Sequence, residues 1–344
     1  MVVRRWLLLL DFGEAWDSVT SDYSVSPADY SELEFTQRAF WSVLQRTGHW
    51  DAATRMLSCF WDAELGFDCA NEDCDYTHYV NYHCDNRVCP NCGEARAART
   101  FNNFHERVVS RLDVDKLRFT TLTFRNFEEL TEERLEAARE CFHRLRRREV
   151  WQQDGGLYAF ECPYDEESGE WNLHVHVLTE GPRMRIGPDS GMCTNPGEHD
   201  VEECMRCAWK EITRRVEGAP MSHILDVRNM GEVCSNNVEV ANYLTKYLTK
   251  NPDLFEGSDL SLRERVKALY QYHDTFHNAN MIQTFGHCHH ASNRAVSLRW
   301  NPDGDFECPE CEQVGGWELR EGVIVNNVQQ TWRRLKAYTG FSHR

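Results

Sequence analysis

The spacing of apolar and polar residues divides the middle of the chain into alternating predicted strands and helices. Residues 116–126 (KLRFTTLTFRN) alternate as in a strand, and residues 131–151 place apolar side chains at helical spacing after Thr131, the predicted N-cap. Residues 155–181 predict two strands joined by a two-residue turn at Ser168–Gly169. The pattern then predicts a helix, a strand and a second helix, over residues 208–218, 221–229 and 238–251.

The order β-α-β-β-α-β-α predicts an α+β fold: a ferredoxin-like split βαβ core, with an antiparallel sheet, helices and one added helix. We assign this core to residues 113–256, with a Cys/His-rich insert at 190–208. The flanking segments are predicted as a helical extension (1–58), a cysteine-rich module ending in a basic helix (59–112) and a C-terminal region (257–344). The last of these is expected to hold a helix, a further Cys/His cluster and a terminal Arg-rich helix.

The predicted hairpin places three metal-ligand side chains on one face of the sheet. His174 and His176 are alternate residues of a strand, so their side chains point the same way, about 7 Å apart. A two-residue turn at 168–169 would set Glu161 opposite His176. One carboxylate and two imidazoles with open positions suit Mg²⁺ or Mn²⁺ that also binds a substrate oxygen. The alternative is a pair of polar residues on an exposed face.

Lysine is scarce in this acidic chain, yet two lysines lie one helical turn apart. The 344 residues carry a net charge of −17 and 38 basic residues, of which six are lysines. The motif YLTKYLTK contains Tyr243, Lys246, Tyr247 and Lys250. Packed tyrosines and solvent-directed lysines would explain the motif structurally. The scarcity of lysine favours a role beside phosphate, because a compact ammonium group can approach one phosphate oxygen closely.

The acidic, lysine-poor composition is typical of proteins from halophiles. At high salt, screening shortens every charge interaction to contact range, so the net charge does not exclude a nucleic-acid partner. The N-terminal apolar run is too short for a membrane span or a signal segment, which predicts an intracellular protein without membrane partners.

Fifteen cysteines in such a chain predict metal sites in preference to disulfides. We expect one to three structural Zn²⁺ ions. The first predicted site is Cys84, Cys89 and Cys92, with Cys69 or Cys74 as fourth ligand and His83 in reserve. The other candidates are Cys193, His199, Cys204 and Cys207, and then Cys308 and Cys311 with Cys288 and one of His287, His289 or His290. Buried free thiols are expected for Cys59, Cys141, Cys162 and Cys234.

Four motifs taken together resemble the HUH endonucleases, and specifically the rolling-circle replication initiators (Rep proteins) of small plasmids and viruses. They are HCDNRVCPNC, LRFTTLTFRN, LHVHVL and YLTKYLTK, and the resemblance covers residues 84–250. It implies a metal-dependent nick of single-stranded DNA at a replication origin, with a tyrosine retaining the 5′-phosphate and releasing a 3′-OH. The strand is later rejoined. No P-loop motif is present, so a host helicase and a host polymerase are expected partners.

The resemblance leaves the termination step and the biological setting open. Glu239, one turn before Tyr243, fits relatives in which a glutamate activates water; the tyrosine pair fits relatives in which two tyrosines alternate. Tyr243 is favoured as the first nucleophile over Tyr247. The other functions considered are a two-tyrosine rolling-circle transposase, a non-catalytic zinc-module DNA-binding regulator and a metal phosphodiesterase that uses activated water.

Overall fold

The computed structural model describes residues 13–15, 17, 32–60, 64–81, 84, 86–89, 92–93, 100–102, 105, 108–153, 155–181, 204–222, 224–248, 254, 258–277, 279–288, 308–314, 318–325 and 328–330. Its helices are α1 Glu32–Arg46, α2 Trp50–Phe60, α3 Glu132–Leu145, α4 Met205–Arg215, α5 Met230–Val233, α6 Asn237–Leu248 and α7 Leu262–Phe276. Its strands are β1 Glu64–Asp68, β2 Thr77–Asn81, β3 Leu117–Thr123, β4 Gly155–Glu161, β5 Tyr164–Asp165, β6 Glu170–Trp171, β7 His174–Glu180, β8 Leu225–Asn229, β9 Ile282–Gly286, β10 Glu318–Val325 and β11 Val328–Gln330.

The chain divides into two units. One comprises residues 1–92, 254–270 and 297–344, and the other comprises residues 93–253 and 271–296. We call them the cysteine unit and the sheet unit. The domain boundaries given above from the sequence stay a prediction.

The sheet unit has the predicted α+β fold. Its five strands lie in the order β8-β3-β7-β4-β9, and all neighbours are antiparallel. In the order of the chain, the first four of these strands have the 4-1-3-2 arrangement of a split βαβ fold. The Thr131 hydroxyl accepts a hydrogen bond from the Arg134 N–H and begins α3, as predicted. Strand β9, which adds a fifth strand beside β4, was not predicted.

Both faces of this sheet are covered. On one face, Phe119 and Leu178 pack with Val240 and Leu244 of α6. On the other face lie α3 and α4, where ring centroids are 4.6 Å apart for Phe142 and Tyr158 and 5.1 Å for Phe124 and Trp209. All seven residues of β4 are buried as a result. Each fully buried large apolar side chain contributes roughly 1.5–3 kcal/mol to stability.

The hairpin turn differs from the sequence prediction. Asp165 pairs with Glu170, so the loop contains four residues rather than two, with Gly169 at φ 71°. The reason is the Asp165 carboxylate, which accepts hydrogen bonds from the Glu167 N–H at 3.2 Å and the Ser168 hydroxyl at 2.7 Å. Such a carboxylate-capped turn is well suited to a longer loop. The prediction that Glu161 lies opposite His176 was therefore wrong in register: Glu161 pairs with His174, and His176 pairs with Ala159.

The cysteine unit contains a sheet built from distant parts of the chain. The strand order is β11-β10-β1-β2, and β1 pairs antiparallel with both β2 and β10. Helices α1 and α2 supply buried side chains such as Phe40, Leu44 and Met56, in agreement with the helical spacing. Residues 328–330 form a strand, and residues 331–344, at the end of the region where an Arg-rich helix is predicted, lie outside the described residues. Among the described helices, none is long and apolar enough to cross a membrane.

Candidate active site and cysteine clusters

The histidines of β7 and the glutamate of β4 meet on the sheet face that α6 covers. The Nε2 atom of His176 lies 2.5 Å from Oε2 of Glu161, and both side chains are buried. His174 lies beside His176, with ring centroids 5.8 Å apart. The three predicted ligands thus share one face although the register was misjudged, because Glu161 reaches His176 diagonally.

Two threonines of β3 fix the orientation of the histidine rings. The Thr121 and Thr123 hydroxyls lie 3.1 Å and 3.0 Å from Nδ1 of His176 and His174, their partners across the strand pair. Such partners fix which ring nitrogen faces outward as a metal ligand. Sequence reasoning missed these threonines, although the pattern T-x-T antiparallel to H-x-H would have indicated them.

The donor set fits a hard divalent cation. When Nε2 of His176 donates to Glu161, the Thr121 hydroxyl must donate to Nδ1. An ion held at Nε2 requires the opposite tautomer, in which Nδ1–H donates to the same hydroxyl. A hydroxyl can play both roles, so the pair accommodates either state. A Mg²⁺ or Mn²⁺ site on Glu161, His174 and His176 stays a prediction, because these three residues are not among the described groups whose ligand atoms all lie within 4.8 Å of one another.

Tyr243 lies one aromatic ring away from the histidines. Its ring meets Phe119 edge-on at 5.2 Å, and Phe119 stacks on His176 at 5.4 Å. Lys246, one turn further along α6, is exposed. Tyr247 belongs to the same helix, but its side chain and all of Lys250 lie outside the described residues.

Two residues of β8 extend this site, and sequence reasoning did not identify them. Arg228 Nη1 donates to the Tyr243 hydroxyl at 2.9 Å, and its Nε donates to the Asp226 carboxylate at 2.7 Å. The carboxylate thereby orients a guanidinium group toward the tyrosine oxygen. Arginine suits this task because its rigid fork of donors can serve two acceptors at once. The alternating D-x-R spacing in the predicted strand was the only available signal.

Glu239 has structural partners at the start of α6. Its carboxylate accepts hydrogen bonds from the Ser235 N–H at 2.7 Å and from the Asn236 side-chain amide at 3.1 Å. Asn236 in turn accepts from the Glu239 N–H at 3.0 Å. This reciprocal arrangement is a capping box, which satisfies N–H groups that a helix start leaves without partners. A catalytic role for Glu239 stays a prediction.

The first cysteine cluster consists of Cys59, Cys84, Cys89 and Cys92, all buried. Their Sγ atoms are separated by 3.5 Å for Cys59–Cys89 and 3.6 Å for both Cys59–Cys92 and Cys84–Cys92. Tetrahedral Zn–S bonds of 2.3 Å imply S–S separations of about 3.8 Å, whereas a disulfide requires about 2.05 Å. Burial raises the pKa of Cys84 well above its ordinary value, so protons compete with a metal here.

Two predictions about this cluster were wrong. The fourth member is Cys59 at the end of α2, neither Cys69 nor Cys74, and Cys59 is not an isolated thiol. Nothing in the sequence pattern indicated that Cys59, at the end of this helix, lies close to the cysteines that begin 25 residues later at Cys84. The predicted free thiols Cys141, Cys162 and Cys234 are indeed buried, and burial raises the pKa of each.

The second cluster joins Cys69 and Cys74 to Cys308 and Cys311. The Sγ separations are 3.6 Å for Cys69–Cys311 and 3.7 Å for Cys74–Cys308. A hydrogen bond from the backbone of Gln313 lowers the pKa of Cys311 to about 7.

The remaining predicted ligands fall elsewhere. Cys288, expected beside Cys308 and Cys311, instead packs in the core of the sheet unit. Of its predicted histidine partners, His287 has its Nε2 3.8 Å from Glu180, while His289 and His290 lie outside the described residues. Cys204 and Cys207 are buried together at the start of α4. Their predicted partners Cys193 and His199, like the reserve ligand His83, lie outside the described residues.

Comparison with known proteins gives matches over the middle of the chain. Residues 78–185 match the replication protein family, and residues 33–121 match the transposase zinc-binding domain. A curated relative, "Protein rep" of Lactiplantibacillus plantarum, is 23% identical over 189 residues, which are 53% of this chain and 57% of the relative. The chain thus spans little more than half the length of that relative. No solved structure matches.

The matched regions agree with the geometry. The zinc-binding match contains all four members of the first cluster, which supports a structural Zn²⁺ there. The replication-protein match contains β3, β4 and β7, with Glu161, His174 and His176. The resemblance to replication initiators is thereby confirmed: residues 78–185 are similar to the replication protein family, and residues 33–121 are similar to the transposase zinc-binding domain.

Proposed function

We propose that the chain nicks single-stranded DNA at a replication origin through Tyr243 and later rejoins the strand. The observation that carries the proposal is the contact chain Tyr243–Phe119–His176, in which one aromatic ring separates a tyrosine held by Arg228 from the Glu161 and histidine ligand set. A nucleophile and a phosphate-binding ligand set on one sheet face is the arrangement that such a reaction requires.

In the proposed reaction, the Tyr243 oxygen loses its proton and attacks the scissile phosphorus. The bond from phosphorus to the 3′-oxygen breaks, and that oxygen leaves as a 3′-OH after gaining a proton. A Mg²⁺ or Mn²⁺ ion held by Glu161, His174 and His176 would polarise a phosphoryl oxygen. The phosphotyrosine ester retains bond energy, so a 3′-OH can later attack it and release the tyrosine.

The cations of α6 and β8 supply the electrostatic part of the proposal. Arg228 holds the Tyr243 hydroxyl in place before attack, and its charge favours an oxygen that is losing a proton. Lys246, and Lys250 by the repeat of the motif, are assigned to the developing charge on the phosphate. Because the sequence contains no P-loop motif, strand opening and synthesis are assigned to a host helicase and polymerase.

The direct test is incubation with a single-stranded origin oligonucleotide and Mn²⁺, followed by mapping of any DNA-linked tyrosine by mass spectrometry. We expect the adduct on Tyr243, and its loss in Tyr243→Phe. The matched control is Tyr164→Phe on strand β5, a tyrosine with no assigned role. An adduct undiminished in the Tyr243→Phe/Tyr247→Phe variant would falsify the proposal.

A second candidate is a two-tyrosine rolling-circle transposase, favoured by the zinc-binding match. It shares the nicking chemistry, so the adduct assay does not separate the two. The discriminating observation is the DNA that is cut: a replication origin next to the gene supports the initiator, while cleavage only at the ends of a mobile element supports the transposase.

A further inference from the structure

We propose that Cys69, Cys74, Cys308 and Cys311 form a single zinc centre that fastens the C-terminal strands to the N-terminal part of the cysteine unit. Cys308 and Cys311 lie beyond both family matches, whereas Cys69 and Cys74 lie within the zinc-binding match but apart from the first cluster. The ligand atoms of these four residues lie within 4.8 Å of one another, although more than 230 residues separate the two pairs.

Two tight turns present the cysteines, and backbone hydrogen bonds hold both turns. In the first, the Cys74 N–H donates to the Asn71 carbonyl at 2.9 Å, and the Cys69 N–H donates to the Tyr76 carbonyl at 3.0 Å. In the second, the Glu312 N–H donates to the Cys308 carbonyl at 2.9 Å.

The second turn also contains a left-handed residue. Glu312 has φ 60°, the only positive φ among the non-glycine residues that the structure describes. Bulky residues adopt this conformation at a cost, and such residues concentrate at sites of ligation and function. It directly follows Cys311, where the chain must reverse to return the Cys308 N–H to the Gln313 carbonyl at 2.8 Å. The left-handed residue therefore lies in the same turn as both C-terminal cysteines.

The ligand chemistry is that of a structural zinc site. The Sγ separations of 3.6 Å and 3.7 Å are close to the edge of a ZnS₄ tetrahedron and far from a disulfide. Four sulfur ligands exclude Mg²⁺ and Ca²⁺, which prefer oxygen. A closed four-ligand shell leaves no position for a substrate, so the centre is structural.

The position of the zinc centre indicates which strand pairing it stabilises. Cys69 directly follows β1, and Asp68 at the end of β1 pairs with Glu318 at the start of β10. The two turns therefore meet at the end of the sheet where this pairing begins. The pairing of strands so far apart in sequence closes a very long loop and costs entropy. The free energy of metal binding offsets that cost.

Zinc content of the full chain, measured by native mass spectrometry, tests whether the four cysteines share one ion. We expect Cys69→Ser/Cys74→Ser and Cys308→Ser/Cys311→Ser each to lose one zinc ion relative to the wild type. The variant that combines all four changes should also lose one ion only. Loss of two ions in the combined variant, or no loss in either pair, overturns the proposal.

The control is Cys288→Ala, which should keep the wild-type zinc content because Cys288 lies in the other unit. If the paired variants do not fold, pulsed alkylation of the wild-type chain during chelator titration replaces them. The four cysteines should become reactive together, at one chelator concentration. Alkylation of Cys308 and Cys311 while Cys69 and Cys74 stay protected overturns the proposal. Neither readout involves DNA, so failure here is distinct from failure of the nicking proposal.

Discussion

Among single residues, Arg228 carries the most specific expectation, because its guanidinium contacts both the Tyr243 hydroxyl and the Asp226 carboxylate. Arg228→Gln removes the charge and the fixed donor fork, and we expect single-turnover nicking to slow by about 10²-fold, as for loss of one preorganised donor. The exposed Arg228 side chain makes a large loss of stability unexpected.

The matched control is Arg215→Gln, an exposed arginine of α4 that pairs with Glu211. It should nick at the wild-type rate. Partial recovery of activity in Arg228→Lys, with unchanged oligonucleotide affinity, distinguishes placement of the hydroxyl from DNA binding. Wild-type nicking by Arg228→Gln contradicts the assigned role.

The threonines behind the histidines give a second expectation. Thr121→Val removes the partner of His176 Nδ1, and we expect Mn²⁺ affinity to fall about 10–100-fold, as for other outer partners of ligating histidines. Isothermal titration of Mn²⁺ measures this without DNA. Thr179→Val on β7 is the control, because its buried hydroxyl has no hydrogen-bond partner. Equal Mn²⁺ affinity in the two variants contradicts the prediction.

Sequence motifs indicated the candidate site residues but not the neighbouring residues that contact them. His174 and His176 were indicated by strand periodicity, and Tyr243 by the repeated motif. Arg228 depends on β8 pairing next to β3, a contact between segments about 110 residues apart. Local patterns carry no information about such pairings, so the tyrosine was predicted without its partner.

At the scale of elements, the β4–β7 pairing leaves no room for a side chain at Gly156. A Cβ atom there would lie 2.0 Å from the Leu178 carbonyl oxygen, which belongs to the paired strand and cannot move alone. We expect Gly156→Ala to lower the free energy of unfolding by about 1–3 kcal/mol, as for other overpacked sites. Urea denaturation measures this, with Gly93→Ala as control because no atom of the described residues lies within 4 Å of its added Cβ.

Substitutions at Glu239 and Tyr247 of α6 distinguish two possible termination mechanisms, water activation by Glu239 and attack by a second tyrosine. The Glu239 carboxylate accepts hydrogen bonds from the Ser235 N–H and the Asn236 amide, and glutamine, with one acceptor oxygen, can keep the bond from the Ser235 N–H. We therefore expect Glu239→Gln to leave thermal stability and closure of the displaced circle unchanged, while Tyr247→Phe impairs closure. Blocked closure in Glu239→Gln, with Tyr247→Phe silent, would instead assign Glu239 to water activation.

The sequence predicted which segments are helices or strands better than it predicted which strands pair. Strands β3, β4, β7 and β8 and helices α3, α4 and α6 agree with their periodicity. The hairpin register depended on the number of residues in the turn. The Asp165 carboxylate stabilises a four-residue turn, whereas the sequence prediction assumed a two-residue turn. Strands β9 and β10 were missed because short strands in a tail with little periodicity are defined mainly by the partners they meet.

For the molecule as a whole, the two cysteine clusters should release metal at different rates. All four cysteines of the first cluster are buried, whereas Cys74 and Cys311 of the second are partly exposed. We expect biphasic zinc release to a chromogenic chelator, with Cys308 and Cys311 becoming alkylated during the fast phase. Alkylation of Cys89 during the fast phase contradicts this order.

Composition indicated an acidic protein with metal sites, but it did not determine the host. The acidity and scarcity of lysine predict a halophilic host, and no relative described above tests that prediction. Clustered cysteines correctly indicated metal sites in preference to disulfides, since the described cysteines form no disulfide and eight of them form two four-sulfur clusters. Their grouping followed from strand pairing and not from proximity in sequence.

The pairing of β1 with β10 has a consequence for the order of synthesis. The sheet unit is complete once residue 296 has left the ribosome, but the cysteine unit still lacks β10, Cys308 and Cys311 at that point. Until they emerge, one edge of β1 exposes unpaired N–H and C=O groups, and such edges readily associate with other chains. Chains interrupted after residue 296 would thus contain every strand of the sheet unit while the cysteine unit keeps an open strand edge, and we expect such chains to aggregate.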